Sequence, residues 1–347
     1  MAEPTVEVLS NLILEHSKSK DSISDTQIKT VPLDPSCTTY EMDGHWFKVM
    51  KAEPKNPNYT PLHREEYVLK TIDAFNRKTA DLALHIPITK ALFADASMEG
   101  VDRPYLLTEA ITGSPLMKYM AQNNNIATPD ILEAMGNDIG IFLARIHAIS
   151  AKGCGLFAIT GEGVHPGPWQ KYFALVNESQ WKHLKGSGVV DDSIIDKLAQ
   201  MTIDNQSVMI GETVSLCHND FQYSNMWIDP ETKKLTGLVN YAQSGVGSPM
   251  ADISSLYMHC SDENFWNKIT ESYQSIRSFP DKFEKKLAYY SYVFGLRAAW
   301  FFHMKKDEQT KGYYLRRAFE EASIFDDSFM AEAGKYASCT HPRVVGG

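Results

Sequence analysis

The stretch Cys217-His218-Asn219-Asp220, with Asn225 five residues past the acid, holds residues whose types and spacing could do chemistry together. It runs directly into a hairpin pattern. Met226-Trp227-Ile228 and residues 235–239 are apolar runs, and Asp229-Pro230-Glu231-Thr232-Lys233-Lys234 between them is turn chemistry. Folding the chain about the middle of that turn brings Asn225, at the entry of the first strand, opposite Asn240, at the exit of the second. One carboxylate and two oxygen-bearing side chains at a hairpin mouth are what metal-assisted phosphoryl transfer requires. The acid accepts the proton of an incoming hydroxyl, and the oxygen ligands hold Mg2+ on the nucleotide phosphates.

The elements that must position these groups follow from periodicity. Val6, Leu9, Leu12 and Ile13 predict a short amphipathic helix over 5–16. Residues 28–52 read as extended, with Asp43-Gly44 as a hairpin turn. A helix is expected over 61–76, with Leu62, Leu69 and Ile72 inward, followed by strands over 88–94 and 105–109. Thr112-Gly113-Ser114-Pro115 then punctuates the chain as a linker. Beyond it the pattern is mostly helical, over 129–150, 168–184, 191–201, 263–273 and 281–303, and is interrupted by the hairpin. The sum is an α+β chain of two lobes: an extension over 1–27, a small β-rich lobe over 28–111, a larger helical lobe over 112–337, and a flexible tail over 338–347.

His218-x-Asp220-x4-Asn225 with its hairpin resembles the catalytic loop of the aminoglycoside phosphotransferase-like group, which includes choline and fructosamine kinases and is related to protein kinases. Gly245-Val246-Gly247-Ser248-Pro249-Met250-Ala251-Asp252 is similar to the segment that closes the activation region in that group. The resemblance covers about residues 28–303 and implies a bilobal protein kinase-like fold. It implies that Asp220 is the catalytic base, that His218 orients the loop, that Asn225 is a Mg2+ ligand, and that Asp252 is a buried carboxylate bonding backbone amides. Val49-Met50-Lys51 resembles the strand whose lysine reaches the nucleotide phosphates. Lys51 is preferred because Val49 shares its face, and Lys48 is the competitor. Glu65 is similar to the helix glutamate that pairs with that lysine, with Glu66 as its alternative. The run 105–113 looks like the hinge strand, so the backbone of Thr108, Glu109, Ala110 and Ile111 would face adenine. Arg145-Ile146-His147 matches a helix end in which His147 is a packed, hydrogen-bonded histidine.

Two features depart from the group. Its strand-end metal ligand is an aspartate, whereas this chain has Asn240-Tyr241-Ala242. An amide oxygen can coordinate Mg2+, but it removes one negative charge from the ion's surroundings. Residues 35–40, Pro-Ser-Cys-Thr-Thr-Tyr, also lack the glycine that would let backbone amides approach phosphate closely. Two readings therefore stand. One is an ATP- and Mg2+-dependent phosphotransferase acting on a small-molecule hydroxyl or amine. The other is a kinase-fold protein that binds a nucleotide or metabolite without transferring phosphate. Trp169, Tyr172, Phe173, Trp300, Phe301 and His303 are the candidates for the acceptor pocket by placement.

Bulk properties agree with a small-molecule partner. A formal net charge of −9 over 347 residues, with no Lys/Arg cluster, argues against nucleic acid. Five scattered cysteines form no metal-ligand spacing and fit a reducing, cytoplasmic compartment. No apolar run reaches the roughly 18 residues of a membrane span, and residues 1–15 carry no signal-peptide pattern. Oligomeric state is not legible.

Overall fold

The computed structural model describes residues 5–17, 28–31, 36–52, 60–81, 84–95, 101, 103–122, 129–158 and 161–339. The chain starts with helix α1 (Val6–His16), capped by the Thr5 hydroxyl, which accepts the Val8 amide. Strands β1 (Lys29–Val31), β2 (Cys37–Met42), β3 (His45–Met50), β4 (Ala91–Asp95) and β5 (Tyr105–Glu109) form an antiparallel sheet in the order β1-β2-β3-β5-β4. Asp43 and Gly44, both at positive φ, close the β2–β3 hairpin tightly. Helix α2 (Pro61–Asn76) has the expected bounds, with Thr60 as its cap and proline in its first turn. The strand expected over 88–94 begins only at Ala91; Ile88 instead makes an isolated bridge to Leu238 of the hairpin.

This sheet is covered on both faces. Phe47, Val49, Tyr105 and Leu107 lie with Leu9 and Ile13 of α1 on one side. Cys37, Met50 and Leu106 meet Leu62 of α2 on the other. With both faces buried, the simple in–out alternation of a half-exposed strand is lost in β3.

The expected linker is itself structured. Ser114 and Pro115 form strand β6, which pairs with β10 (Met226–Ile228), and β10 pairs with β11 (Leu235–Leu238). A second small sheet of β7 (Cys154–Phe157), β8 (Gly163–His165), β9 (Ser215–Cys217) and β12 (Gly245–Gly247), in the order β8-β7-β12-β9, was not anticipated from the sequence. Around these sheets pack helices α3 (Leu116–Gln122), α4 (Pro129–Ile146), α5 (Trp169–Leu184), α6 (Asp192–Asp204), α7 (Pro249–His259), α8 (Glu263–Gln274), α9 (Phe283–Met304), α10 (Glu308–Ala322) and α11 (Phe329–Gly334). They share one core that includes Met135, Ile139, Leu216, Leu256, Tyr290 and Phe319. Among the described residues no helix is long and apolar enough to cross a membrane. Most of the expected tail, 340–347, lies outside the described residues, as do 32–35 between β1 and β2, including Pro35 of the glycine-free stretch.

Candidate active site

Strand β9 delivers the Asp220 loop, and its neighbour β12 explains the glycines of the Gly245-Val246-Gly247 run. Gly245 pairs with Cys217 on one side and Leu156 on the other, and a Cβ there would collide with the Gly155 carbonyl. Ser248 then caps α7, and Pro249 occupies its first turn. That start carries Asp252 to the loop. Its two carboxylate oxygens accept the amides of His218 at 2.6 Å and Asn219 at 2.7 Å. Asn219 can hold its left-handed φ of 61° because the carboxylate anchors its amide.

His147 touches the same Asp252 oxygen at 3.3 Å, and its other ring nitrogen meets the Tyr273 hydroxyl at 3.1 Å. Burial pushes its pKa down, against the pull of Asp252. Cys217 completes this buried group, and burial pushes its thiol well up. Asp252 is thus occupied by amides, and the group braces the loop. His218 also works from below. Its Nε2 donates to the Val239 carbonyl at 3.0 Å, while Nδ1 is buried without a partner among the described residues, and the ring packs on Phe221 and Tyr241. It ties the loop to the hairpin exit and so positions Asp220.

At the hairpin mouth the three expected residues meet. Met226 pairs with Leu238, one residue out of the expected register, so Asn225 lies opposite Val239, whose amide it accepts at 3.0 Å. Asn240 reaches back nonetheless, because it turns into the left-handed region at φ 68°. Asp220 Oδ2 accepts Asn225 Nδ2 at 2.7 Å and Asn240 Nδ2 at 3.3 Å, and Asp220 Oδ1 accepts Gln222 Nε2 at 2.6 Å. Asn225 Oδ1 accepts Asn240 Nδ2 at 3.4 Å, and Asn240 Oδ1 is buried with no partner among the described residues. Two neutral amide oxygens and one carboxylate therefore cluster here. Gln222 was missed by the sequence reading; an amide two residues past the acid was the available signal.

The lysine that pairs with Glu65 is Lys48, not Lys51. Lys48 Nζ meets Glu65 Oε2 at 2.7 Å, and both side chains are buried. Lys51 lies beyond the end of β3 and is exposed. The error came from Val49. That residue packs under α1, away from α2, so sharing its face counts against a lysine that must reach Glu65. Glu66 pairs instead with Lys70 on the outer side of α2. Arg64 donates to the Ala242 carbonyl at 2.5 Å, which holds α2 against the segment after Asn240. Tyr241 there is pushed well above its ordinary pKa by burial and then by the nearby Glu65 charge. Lys48→Ala leaves the Glu65 carboxylate buried and uncompensated, and is expected to cost about 3–5 kcal/mol in urea unfolding. Lys51→Ala is expected to cost less than about 0.5 kcal/mol. Equal costs would contradict this pairing.

The hinge residues border the cleft differently. Ala110 and Ile111 pack with Trp46, Trp227 and Val239 in an apolar group spanning the sheet and the hairpin. Trp46 lies on the Lys48 face and pairs across the ladder with Thr108, whose hydroxyl is buried without a partner among the described residues. Glu109 points its carboxylate outward to Lys90 at 2.8 Å, and its amide donates to the Lys90 carbonyl at 2.9 Å. The Trp46 and Trp227 rings touch at 4.9 Å between centroids, and the Trp227 indole N–H is buried and has no partner among the described residues. A Cβ at Gly237 would run into the Ile111 side chain. Gly237→Ala is accordingly expected to cost about 1–3 kcal/mol by overpacking, read as a lowered urea midpoint with an unchanged slope.

Asp220 also opens onto a cavity of about 960 Å³. Of the acceptor candidates, Trp169, Tyr172, Phe173 and Phe301 line it. Trp300 packs on His183 and His303 bonds the Ser187 carbonyl, so neither belongs to its wall. Arg297 and Phe294, not singled out from the sequence, do line it.

No curated protein matches the sequence. Among solved structures, a thermostable mutant of aminoglycoside phosphotransferase APH(4)-Ia matches with a TM-score of 0.60 at 15% identity, over 94% of this chain and 99% of that one. A ternary complex of a mutant of that enzyme with ADP and hygromycin B matches with a TM-score of 0.59 at 13% identity, over 95% and 98% of the two chains. The streptomycin–ATP–APH(2″)-IIa complex matches with a TM-score of 0.55 at 17% identity, over 86% and 91%. At these identities the likeness shows a shared protein kinase-like fold, with a β-sheet N-terminal region and a helical C-terminal part. The sequence profile of the phosphotransferase enzyme family matches residues 61–281, a span from the start of α2 past Asp252, and on that match the chain belongs to this family.

Proposed function

We propose that the protein is an ATP-dependent phosphotransferase that phosphorylates a hydroxyl or amine of a small molecule in the cytoplasm. The observation that carries this reading is the buried Lys48–Glu65 ion pair, formed on the sheet face that meets the hairpin where Asp220 stands. A lysine buried with one carboxylate is costly to keep without a use for its charge. On this reading that charge is the one that meets the triphosphate. Asp220 takes the proton of the acceptor hydroxyl, with Gln222 and Asn225 holding its carboxylate in place. Asn225 Oδ1 and the unpartnered Asn240 Oδ1 are the oxygens that would hold Mg2+, whose role when bound is to neutralise phosphate charge. The hinge backbone from Thr108 to Ile111 and the two indoles would receive the base.

Aromatic faces stack at about 3.5–4 Å, so a base between two rings needs about twice that separation. Trp46 and Trp227, in contact at 4.9 Å, must part to admit it. Titration with ATP and Mg2+ is therefore expected to change tryptophan emission saturably. It should also raise the Tm by several degrees, as about 2.7 kcal/mol of binding energy at one hundred times Kd would. No stabilisation by ATP, with or without Mg2+, would sink the proposal. A second reading, nucleotide binding without transfer, is favoured by the neutral Asn240. ADP formation with an acceptor panel separates the two.

A further inference from the structure

The cavity beside Asp220 carries information about its occupant. Its wall is aromatic: Trp169, Tyr172 and Phe173 from α5 face Phe294 and Phe301 from α9. That wall is held stiffly. Trp169 Nε1 donates to the Tyr290 hydroxyl at 2.5 Å, which donates to buried Glu212 at 2.6 Å, and Glu212 pairs with Lys286 at 3.4 Å.

Among the described residues the cavity's formal charges are few: Asp220, Asp307 and Arg297. Asp220 is the proposed base. Asp307 caps α10, its Oδ1 accepting the Thr310 amide at 3.0 Å. Arg297 is exposed and makes no ion pair among the described residues. The positions one turn away on its helix are Val293, Phe294, Trp300 and Phe301, so no carboxylate can reach it from there. Lys305 sits 4.2 Å over the Phe301 ring, adding a second cation beside this wall.

We propose that the acceptor is a hydroxylated, largely aromatic or apolar molecule with one anionic group, which pairs with Arg297 while its flat body lies against the Trp169–Phe173 wall. This rests on the phosphotransfer reading above. In that reaction the bond between the terminal phosphorus and the ADP oxygen breaks, the acceptor oxygen bonds to phosphorus, and the hydroxyl proton passes to Asp220. A polycation such as an aminoglycoside is the wrong ligand. Among the described residues it would meet a free guanidinium and find only one carboxylate beyond the base, already used as a helix cap.

The test is calorimetric binding to the full chain without ATP. The probes are 4-(hydroxymethyl)benzoate, its methyl ester, 4-(aminomethyl)benzyl alcohol and gentamicin. The carboxylate is expected to bind at least tenfold more tightly than the ester and the amine, and Arg297→Gln should erase that preference. Equal binding of ester and carboxylate, tighter binding of the amine or of gentamicin, a preference surviving in Arg297→Gln, or no binding by any probe would each overturn the proposal. A carboxylate preference with no phosphate transferred after adding ATP and Mg2+ would support this ligand class while sinking the phosphotransfer reading, so the two failures are distinguishable.

Discussion

Asn240→Asp is expected to raise phosphotransfer by about 10²–10⁴-fold at saturating ATP and Mg2+. The backbone offers no objection, because Asp tolerates the left-handed φ of 68° as Asn does. The change lies in charge. Asn240 Nδ2 now donates to Asp220 Oδ2 at 3.3 Å, a bond that an aspartate replaces with a second carboxylate facing the first. Without a cation the two charges repel, and the substituted protein should melt below the wild type. Mg2+ with ATP should more than restore it, since a divalent ion prefers anionic oxygen to an amide. Paired measurements of ADP release and of Tm with and without Mg2+ check both halves. An unchanged rate together with a Mg2+-insensitive Tm would show that this position does not face the metal.

Asp220→Asn should lower kcat by about 10²–10⁴-fold, the usual worth of a positioned general base, with the ATP KM nearly unchanged. The fold should survive. An asparagine can still offer its oxygen to Asn225 Nδ2, and Gln222 can turn its amide to face the new one. Retained kcat in a well-folded variant would show that the base is another group. A loss matched by a collapsed Tm would point to the hydrogen bonds instead, which circular dichroism and urea unfolding resolve.

What could be read from the chain was local. The hairpin is written in adjacent residues, two apolar runs about a polar turn, so the neighbourhood of Asp220, Asn225 and Asn240 was legible even with the register off by one. Helix α2 was legible to its ends because Thr60 and Pro61 mark its start. Short strands were not. β7, β9 and β12 are three or four residues long, too short for any period to show, yet they seat the loop that carries Asp220. Residues 112–115 read as a linker, and only the pairing of Ser114 and Pro115 with β10 revealed a strand.

By itself, then, the sequence determined which acid and which two asparagines stand together, because neighbours in a hairpin need only turn chemistry to meet. It also determined that position 240 is neutral. The tertiary structure alone decided which lysine serves Glu65. β3 is buried on both sides, and only the placement of α1 against one face and α2 against the other distinguishes Lys48 from Lys51. It alone sorted Trp169 and Phe173 into the cavity and Trp300 and His303 out of it. Which side of a helix faces a cleft depends on packing against partners distant in sequence, and helical spacing cannot encode that.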